Sequence, residues 1–398
     1  MKTVTAPLAE ITKIISGTTP ESMISKYWKG QIVWITPTDL GKNRELYLSN
    51  SERKITEEGR KSCNLKKVPN GAVVMSSRAP IGHLAIAGCE LYTNQGCKSF
   101  VPINNVLDSE FLYFLLKHRM PDIKAIGSGA TFLEVSKTAL DNFIITFPEN
   151  LADQRNIISN LKAQLAEVES ARKALEVQQA DIKLFAATAL DKLYSYPNKE
   201  KIGNVAKVQS GYAFKSKDFI TQGIKLLRNT NILPNKIYWD DTAYLPSESF
   251  AQYSNYVINE GDVILSLDRP IISTGIKVAR ISDKDIPALL VQRVGRFLID
   301  KNRIDPGYLY FFLNTSFFKD AISGHEQSLG VPHISPTQVE SVEIPLPNIN
   351  EQKKIAAKAL EVFKQTEIAK IAAKESQKDI EYLSSRLLAQ AFDPLSAQ

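Results

Sequence analysis

Cysteine is scarce, with three in 398 residues. Cys63, Cys89 and Cys97 stand at spacings that fit neither a disulfide framework nor a Cys-x-x-Cys zinc site. They are read as reduced structural thiols, since free cysteine is among the most often buried residue types. No stretch approaches about eighteen consecutive apolar residues, which excludes a membrane-spanning helix. The opening MKTVTAPLAE lacks the basic stretch and apolar run of a secretory signal, so a soluble, cytoplasmic protein is expected. His83, His118, His325 and His333 are scattered without metal-ligand spacing. There is no Walker A sequence, which argues against an ATP-driven motor in this chain. There is also no Pro-Pro pair, and therefore no Asn/Asp-Pro-Pro-aromatic motif with which an adenine methyltransferase holds a flipped base. The chain alone is expected to transfer no methyl group.

The sequence does contain apolar material for two or three globular domains, 43% hydrophobic and 23% charged in 44.3 kDa. A net charge of +6 favours a polyanionic partner only modestly and fits an ordinary basic protein as well.

The chain repeats itself at about half its length. Ser16-Gly17 answers to Ser210-Gly211. Gly71-Ala72-Val73-Val74-Met75-Ser76 answers to Gly261-Asp262-Val263-Ile264-Leu265-Ser266, each a glycine turn followed by an apolar strand. Phe111-Leu112-Tyr113-Phe114-Leu115-Leu116 matches Tyr308-Leu309-Tyr310-Phe311-Phe312-Leu313, as buried helix or buried strand, which periodicity alone does not decide. Val135-Ser136 through Pro148 parallels Ile334-Ser335 through Pro347.

After each of these prolines a long helix is expected, opening with Asp153-Gln154-Arg155 and Glu351-Gln352-Lys353, acidic residues being favourable in a first turn. Along the first, Ile158, Leu161, Leu165, Val168, Arg172, Leu175, Gln179, Ile182, Ala186, Ala189 and Leu193 alternate spacings of three and four, the seam of a coiled coil. Arg172 and Gln179 interrupt it, either setting register with a partner helix or snorkelling at its edge. The second helix, expected to run to about Leu388, carries Ala356, Ala359, Phe363, Ala373, Ile380 and Leu387 at equivalent positions, with Thr366, Lys370, Gln377 and Ser384 between them. Connectivity then requires the two helices to be antiparallel. A helix over 151–193 spans roughly 65 Å at about 1.5 Å per residue, an upper limit on the separation of the globular units.

Several segments resemble the specificity subunits of type I restriction-modification enzymes. They are Ser16-Gly17-Thr18-Thr19-Pro20, Tyr27-Trp28-Lys29-Gly30 and Ile32 through Leu40 with its Trp-Ile-Thr-Pro core; Ser210-Gly211-Tyr212-Ala213-Phe214 with Gly223 through Arg228; and the two proline-to-Gln154 and proline-to-Gln352 junctions. The resemblance covers nearly the whole chain. It implies an α+β protein with two target-recognition domains of mixed α/β structure, over 1–150 and 197–348. Two long helices, over 151–196 and 349–392, join them as an antiparallel coiled coil. It further implies that each domain reads one half of a bipartite, asymmetric target in double-stranded DNA. Two methyltransferase subunits dock along the helices and restriction subunits complete the complex, while S-adenosylmethionine, ATP and Mg belong to these partners and no cofactor or metal to this chain.

Base reading calls for Arg, Lys, Asn, Gln, Ser or Thr on loops. In the first half the candidates are Tyr27, Trp28, Thr36, Ser77, Arg78, Gln95, Lys98, Ser128 and Thr131. In the second they are Tyr212, Lys215, Arg228, Arg269, Gln292, Arg293, Gln327 and His333. Arg78 and Arg269 stand out because each lies just before a proline at a strand end, a structural ion pair being the alternative. The Gly and Ser clusters around Ser128 and Gln327 are otherwise ordinary polar turns. Trp34 is expected in the core, with Tyr27 and Trp28 at the surface. Two rival readings remain: a hidden nuclease using Glu351 and Lys353, and a coiled-coil adaptor whose domains bind proteins.

Overall fold

The computed structural model of the chain describes residues 1–129, 133–323 and 333–396. The chain divides into two compact units, Met1–Leu175 with Glu375–Gln398, and Glu176–Lys374.

In the first unit a five-stranded sheet has the order Thr12–Ser16, Cys97–Pro102, Val73–Ser76, Leu84–Ala87, Tyr47–Leu48. Successive side chains of a strand point to opposite faces. Val73 and Met75 therefore join a core with Phe100 and Phe111, while Val74 joins another with Ile35 and Leu40. Burial on both faces explains why this strand is an unbroken apolar run. A three-stranded sheet follows, with Trp28–Ile35 antiparallel to Lys54–Ile55 and parallel to Tyr92–Thr93.

The second unit repeats this plan. Its four-stranded sheet is ordered Ala206–Ser210, Val294–Ile299, Val263–Ser266, Val278–Arg280, and Val263 and Leu265 face one core while Ile264 faces another. Its three-stranded sheet sets Ile224–Leu227 antiparallel to Ala243–Leu245 and parallel to Ala288–Leu290. Gly17 and Gly211 are interchangeable in role: a Cβ would lie 2.0 Å from the Asn94 carbonyl oxygen at the one and 2.3 Å from that of Val291 at the other, so neither tolerates a side chain.

The apolar segments that periodicity left open are helices, Ser109–His118 and Pro306–Phe312. Aspartate decides this. The Asp108 carboxylate accepts the Glu110 and Phe111 amides at 3.0 and 3.2 Å, and that of Asp305 accepts the Tyr308 amide at 2.9 Å, satisfying donors that the first turn leaves open.

The first long helix is Leu151–Leu193, 43 residues. Ile158, Leu161, Val168 and Leu175 are buried along the expected seam, whereas Arg172 is turned to solvent and pairs with Glu169 at 2.6 Å; near the helix end the buried residue is Leu190, beside the expected Ala189 and Leu193, which are half-buried. The second is Ile349–Ser396, 48 residues, longer than the sequence pattern gave. Its last turns are held because Leu388, Phe392 and Leu395 enter the first unit's core, the Phe392 ring meeting Phe111 edge-on at 5.5 Å. Within the first unit, the start of one long helix (Ile158, Leu161) and the end of the other thus share one core. Within the second unit, Leu190 near the end of the first helix shares a core with Ile355 and Ala359 at the start of the second. Antiparallel neighbours have this arrangement.

The glutamines at both helix starts are fully buried. Gln154 accepts the Asp108 amide at 2.8 Å and donates to the carbonyls of Val106 and Pro148 at 2.9 and 2.8 Å. Gln352 accepts the Asp305 amide at 2.9 Å and donates to Arg303 and Pro347 at 3.0 and 2.8 Å. Each glutamine ties its long helix to the start of the capped helix of its own domain and to a proline, Pro148 at the end of the last strand or Pro347 just beyond it. The Glu351-Gln352-Lys353 trio is accounted for in this way, since Glu351 lies against Lys354 at 3.3 Å and the Gln352 amide is fully used.

Candidate nucleic-acid interface

In each unit, loops at one end of the central strand come together through matching backbone hydrogen bonds. In the first, the Ser77 amide donates to Gly96 at 2.8 Å and the Val135 amide to Ser77 at 3.0 Å. In the second, Leu267 donates to Arg293 at 2.8 Å and Ile334 to Leu267 at 2.9 Å. The Asn94 amide bonds Ile35 at 2.9 Å as that of Val291 bonds Leu227 at 3.2 Å. These bonds set the register of the repeat: Thr36 with Arg228, Arg78 with Asp268, Ala79 with Arg269, Gln95 with Gln292, Gly96 with Arg293, and Glu134 with His333.

The matching of Arg78 with Arg269 suggested by their nearby prolines is therefore off by one residue. Ala79 and Arg269 both have positive φ, 52° and 43°, which independently supports the corrected register. The candidates are presented by the same stations with different chemistry.

In the first unit, Thr36, Arg78 and Gln95 line one polar cleft together with Thr19, Trp34, Arg53 and Asn94. Gln95 is exposed and hydrogen-bonded to the Thr19 hydroxyl. Thr36 caps the helix Pro37–Lys42, its hydroxyl 2.5 Å from the Asp39 carboxylate, so that part of its bonding capacity is committed. Ser77 and Lys98 are buried beneath Arg78. All three converge on Glu134, with the Ser77 hydroxyl at 3.3 Å and the Arg78 and Lys98 cations both at 3.5 Å. Ser128 is exposed and its backbone pairs with that of Glu134, which brings this loop to the same cluster. Tyr27 and Trp28 are half-buried, and Trp34 is buried as expected. Thr131 lies outside the described residues.

In the second unit, Tyr212 and Lys215 are exposed and line a cleft with Phe214 and Tyr253. The Tyr212 ring stands 4.9 Å from Phe214 and 4.8 Å from Tyr253, an aromatic platform beside a cation. Its carbonyl accepts the Gln292 amide at 2.8 Å, which places exposed Gln292 next to it. Arg293 then pairs with Asp268 at 2.8 Å, and His333 Nδ1 lies 3.3 Å from the same carboxylate. Arg269 projects beside them, exposed, with no described residue in hydrogen-bond or ion-pair contact. Lys277 is buried nearby and donates to the Asn229 carbonyl. Burial lowers its pKa, and the charge of Arg269 acts in the same direction while Asp268 opposes it. Arg228 is held by Asp241 at 2.9 Å and is mostly covered. Gln327 lies outside the described residues.

Sequence reading missed Glu134 and Asp268, the carboxylates that organise the two clusters, and Arg53, whose guanidinium carbon lies over the Trp28 ring, 3.7 Å from the centroid. Nothing local marks Arg53. The pairing of Lys54–Ile55 with the strand that carries both tryptophans, together with the Ser51 hydroxyl that bridges the Trp34 amide and the Arg53 carbonyl, brings it to them.

Two copies of one recognition fold, each offering the same backbone stations with different polar side chains, define a protein that reads two different features of one class of ligand. The family model described as type I restriction modification DNA specificity domain matches residues 2–178 and again 198–378, and the chain belongs to this family of specificity subunits, with two target-recognition domains. These are DNA-recognition subunits and not catalysts. The chain is 28% identical over 299 residues to the type I restriction enzyme MjaVIII specificity subunit of Methanocaldococcus jannaschii, covering 72% of this chain and 70% of that one. It is 40% identical over 163 residues to the EcoAI specificity subunit of Escherichia coli, which is 41% of this chain and 28% of the relative. Among solved structures, the HsdS subunit from Thermoanaerobacter tengcongensis shares the fold with a TM-score of 0.61 at 17% identity, over 98% of this chain and 96% of that one. A chain solved in work on complex assembly and conformational transition of the type I R-M system does so with a TM-score of 0.75 at 16% identity, over 98% and 97%.

Proposed function

We propose that this subunit reads a bipartite, asymmetric sequence in double-stranded DNA, one half with a domain over 1–150 and the other with a domain over 197–348. Helices over 151–196 and 349–392 hold the interval between the halves. The subunit directs adenine methylation and ATP-dependent cleavage carried out in the cytoplasm by two methyltransferase subunits and by restriction subunits, which bring S-adenosylmethionine, ATP and Mg. The observation that carries this reading is the shared set of stations with unlike side chains: one docking geometry, two base specificities. Arg78, Gln95 and Ser128 are the DNA-facing groups proposed for the first half-site. Tyr212, Lys215, Arg269, Gln292, Arg293 and His333 are those for the second. Docking of methyltransferase subunits on the helices is supported in the second unit by Val177, Leu184 and Phe185 on one long helix and Ile368 and Ile371 on the other. All of these are more than half exposed, at 58–68%, a density of solvent-facing apolar side chains that marks a protein contact.

The test is genome-wide mapping of methyladenine in cells with and without the subunit, its methyltransferase partner being present in both. One bipartite motif that appears only with the subunit is expected. Methylation that is unchanged by its removal would overturn the reading.

A further inference from the structure

We infer that Arg53 is a base-reading residue of the first domain, directed at a guanine of the first half-site, with Trp28 as the residue that positions it; the inference rests on the proposed function. Arg53 is exposed, and no described residue forms a hydrogen bond or ion pair with its guanidinium. It is nevertheless held in place. Its guanidinium carbon lies over the Trp28 ring, 3.7 Å from the centroid, and 5.7 Å from that of Trp34. Trp28 is itself fixed by edge-on contact with Trp34 at 5.1 Å and by its indole N–H on the Glu21 carbonyl at 3.2 Å. The Trp34 indole N–H is anchored on Thr18 at 3.1 Å.

Stacking uses the faces of a guanidinium and leaves the N–H donors on its edge free, in the fork that matches O6 and N7 of guanine. Ordering an arginine costs rotamer entropy, which here is spent before DNA arrives. The surroundings favour a base over a phosphate. Arg53 shares its cleft with the uncharged Thr19, Asn94 and Gln95 and with Asp39 and Glu52; the Glu52 carboxylate is paired with Lys42 at 2.6 Å, but two carboxylates beside Arg53 still suit the edge of an uncharged base better than a phosphate. Arg78, the other arginine of the cleft, already faces Glu134 at 3.5 Å.

The experiment uses the full subunit in complex with its methyltransferase partner and measures binding and methylation on duplexes in which each base pair of the first half-site is varied. Arg53→Ala is expected to lower discrimination at one G·C pair by about 10- to 100-fold, to leave the second half-site unaffected, and to keep the slope of affinity against salt. Arg53→Lys keeps the charge but not the fork and is expected to relax the same pair, which covers the case in which the alanine variant does not fold. Trp28→Leu is expected to relax that pair partially, with the loss largest at that position. Uniform weakening across sequences with a salt slope reduced by about one would identify a phosphate contact and overturn the proposal, as would variants as selective as the parent. A parent complex with no sequence preference would overturn the proposed function itself, and this assignment with it.

Discussion

Arg78 and Asp268 occupy the same backbone station in the two domains and carry opposite charges, and the residues that meet them are exchanged as well. Arg78 faces Glu134, whereas Asp268 faces Arg293 and, at the station of Glu134, His333. A basic and an acidic group of similar exposure in the first domain correspond to an acidic group beneath two more exposed basic residues in the second. The exposed cation is supplied by different elements in the two halves, and under the proposed function this is how one backbone would serve two half-sites with different base requirements.

Separate reading is testable at these stations. Arg78→Ala is expected to alter recognition of the first half-site only and Arg269→Ala that of the second, by about 1–3 kcal/mol for each lost base contact. Methylation of half-site variants by the assembled complex measures this, and equal effects of either substitution on both halves would count against two independent readers.

Salt should discriminate DNA binding from a protein-binding adaptor. A protein that neutralises several phosphates loses affinity steeply between about 50 and 200 mM salt. Duplex binding by the subunit with its methyltransferase is expected to show that steep dependence in a fluorescence titration, and a flat response would favour the adaptor.

The buried glutamines predict matched losses of stability. Gln154→Ala removes three hydrogen bonds and leaves the Asp108 amide and two carbonyls without partners in the interior, a cost of about 2–4 kcal/mol. Gln352→Ala is expected to cost a similar amount. Chemical denaturation of both variants checks the equivalence, and an effect within about 0.5 kcal/mol of zero would show that these glutamines do not tie helix to domain.

Thiol chemistry gives a further check. Burial pushes the Cys97 thiol up to about 12, so that its thiolate is scarce at every pH below that value and the sulfur is covered as well. Cys63 and Cys89 are partly exposed. Alkylation of the native protein near pH 8, read by mass spectrometry, should modify Cys63 and Cys89 and spare Cys97 until the protein is unfolded.

What could be read from the sequence was set by the range of each interaction. The duplicated Gly-strand-Ser segments and the seam from Ile158 to Leu193 are local patterns, and they announced the repeat and the first long helix. The proline-to-glutamine junctions were visible too, but only as helix starts, because two of the three groups that Gln154 binds, at Val106 and Asp108, lie more than forty residues before it. The neighbouring prolines drew Arg78 and Arg269 into one alignment, whereas the hydrogen bonds of Ser77 and Leu267 place the match one residue away. The stacking of Arg53 on Trp28 depends on a short strand pairing that carries almost no sequence signal, and the burial of Ser77 and Lys98 depends on Glu134, more than thirty residues further along the chain.

The use of Leu388, Phe392 and Leu395 in the first unit's core bears on how the protein is made. The first domain emerges from the ribosome early, yet the residues that complete its core are translated only after the entire second domain. Until then Phe111 lacks its Phe392 neighbour and the apolar face around Ile158 and Leu161 stays open, a condition that chaperones bind and proteases attack. Messages cut short in the final helix should therefore yield a product defective in its first domain, and Phe392→Ala, at about 3–5 kcal/mol, would reproduce that defect in a chain of full length.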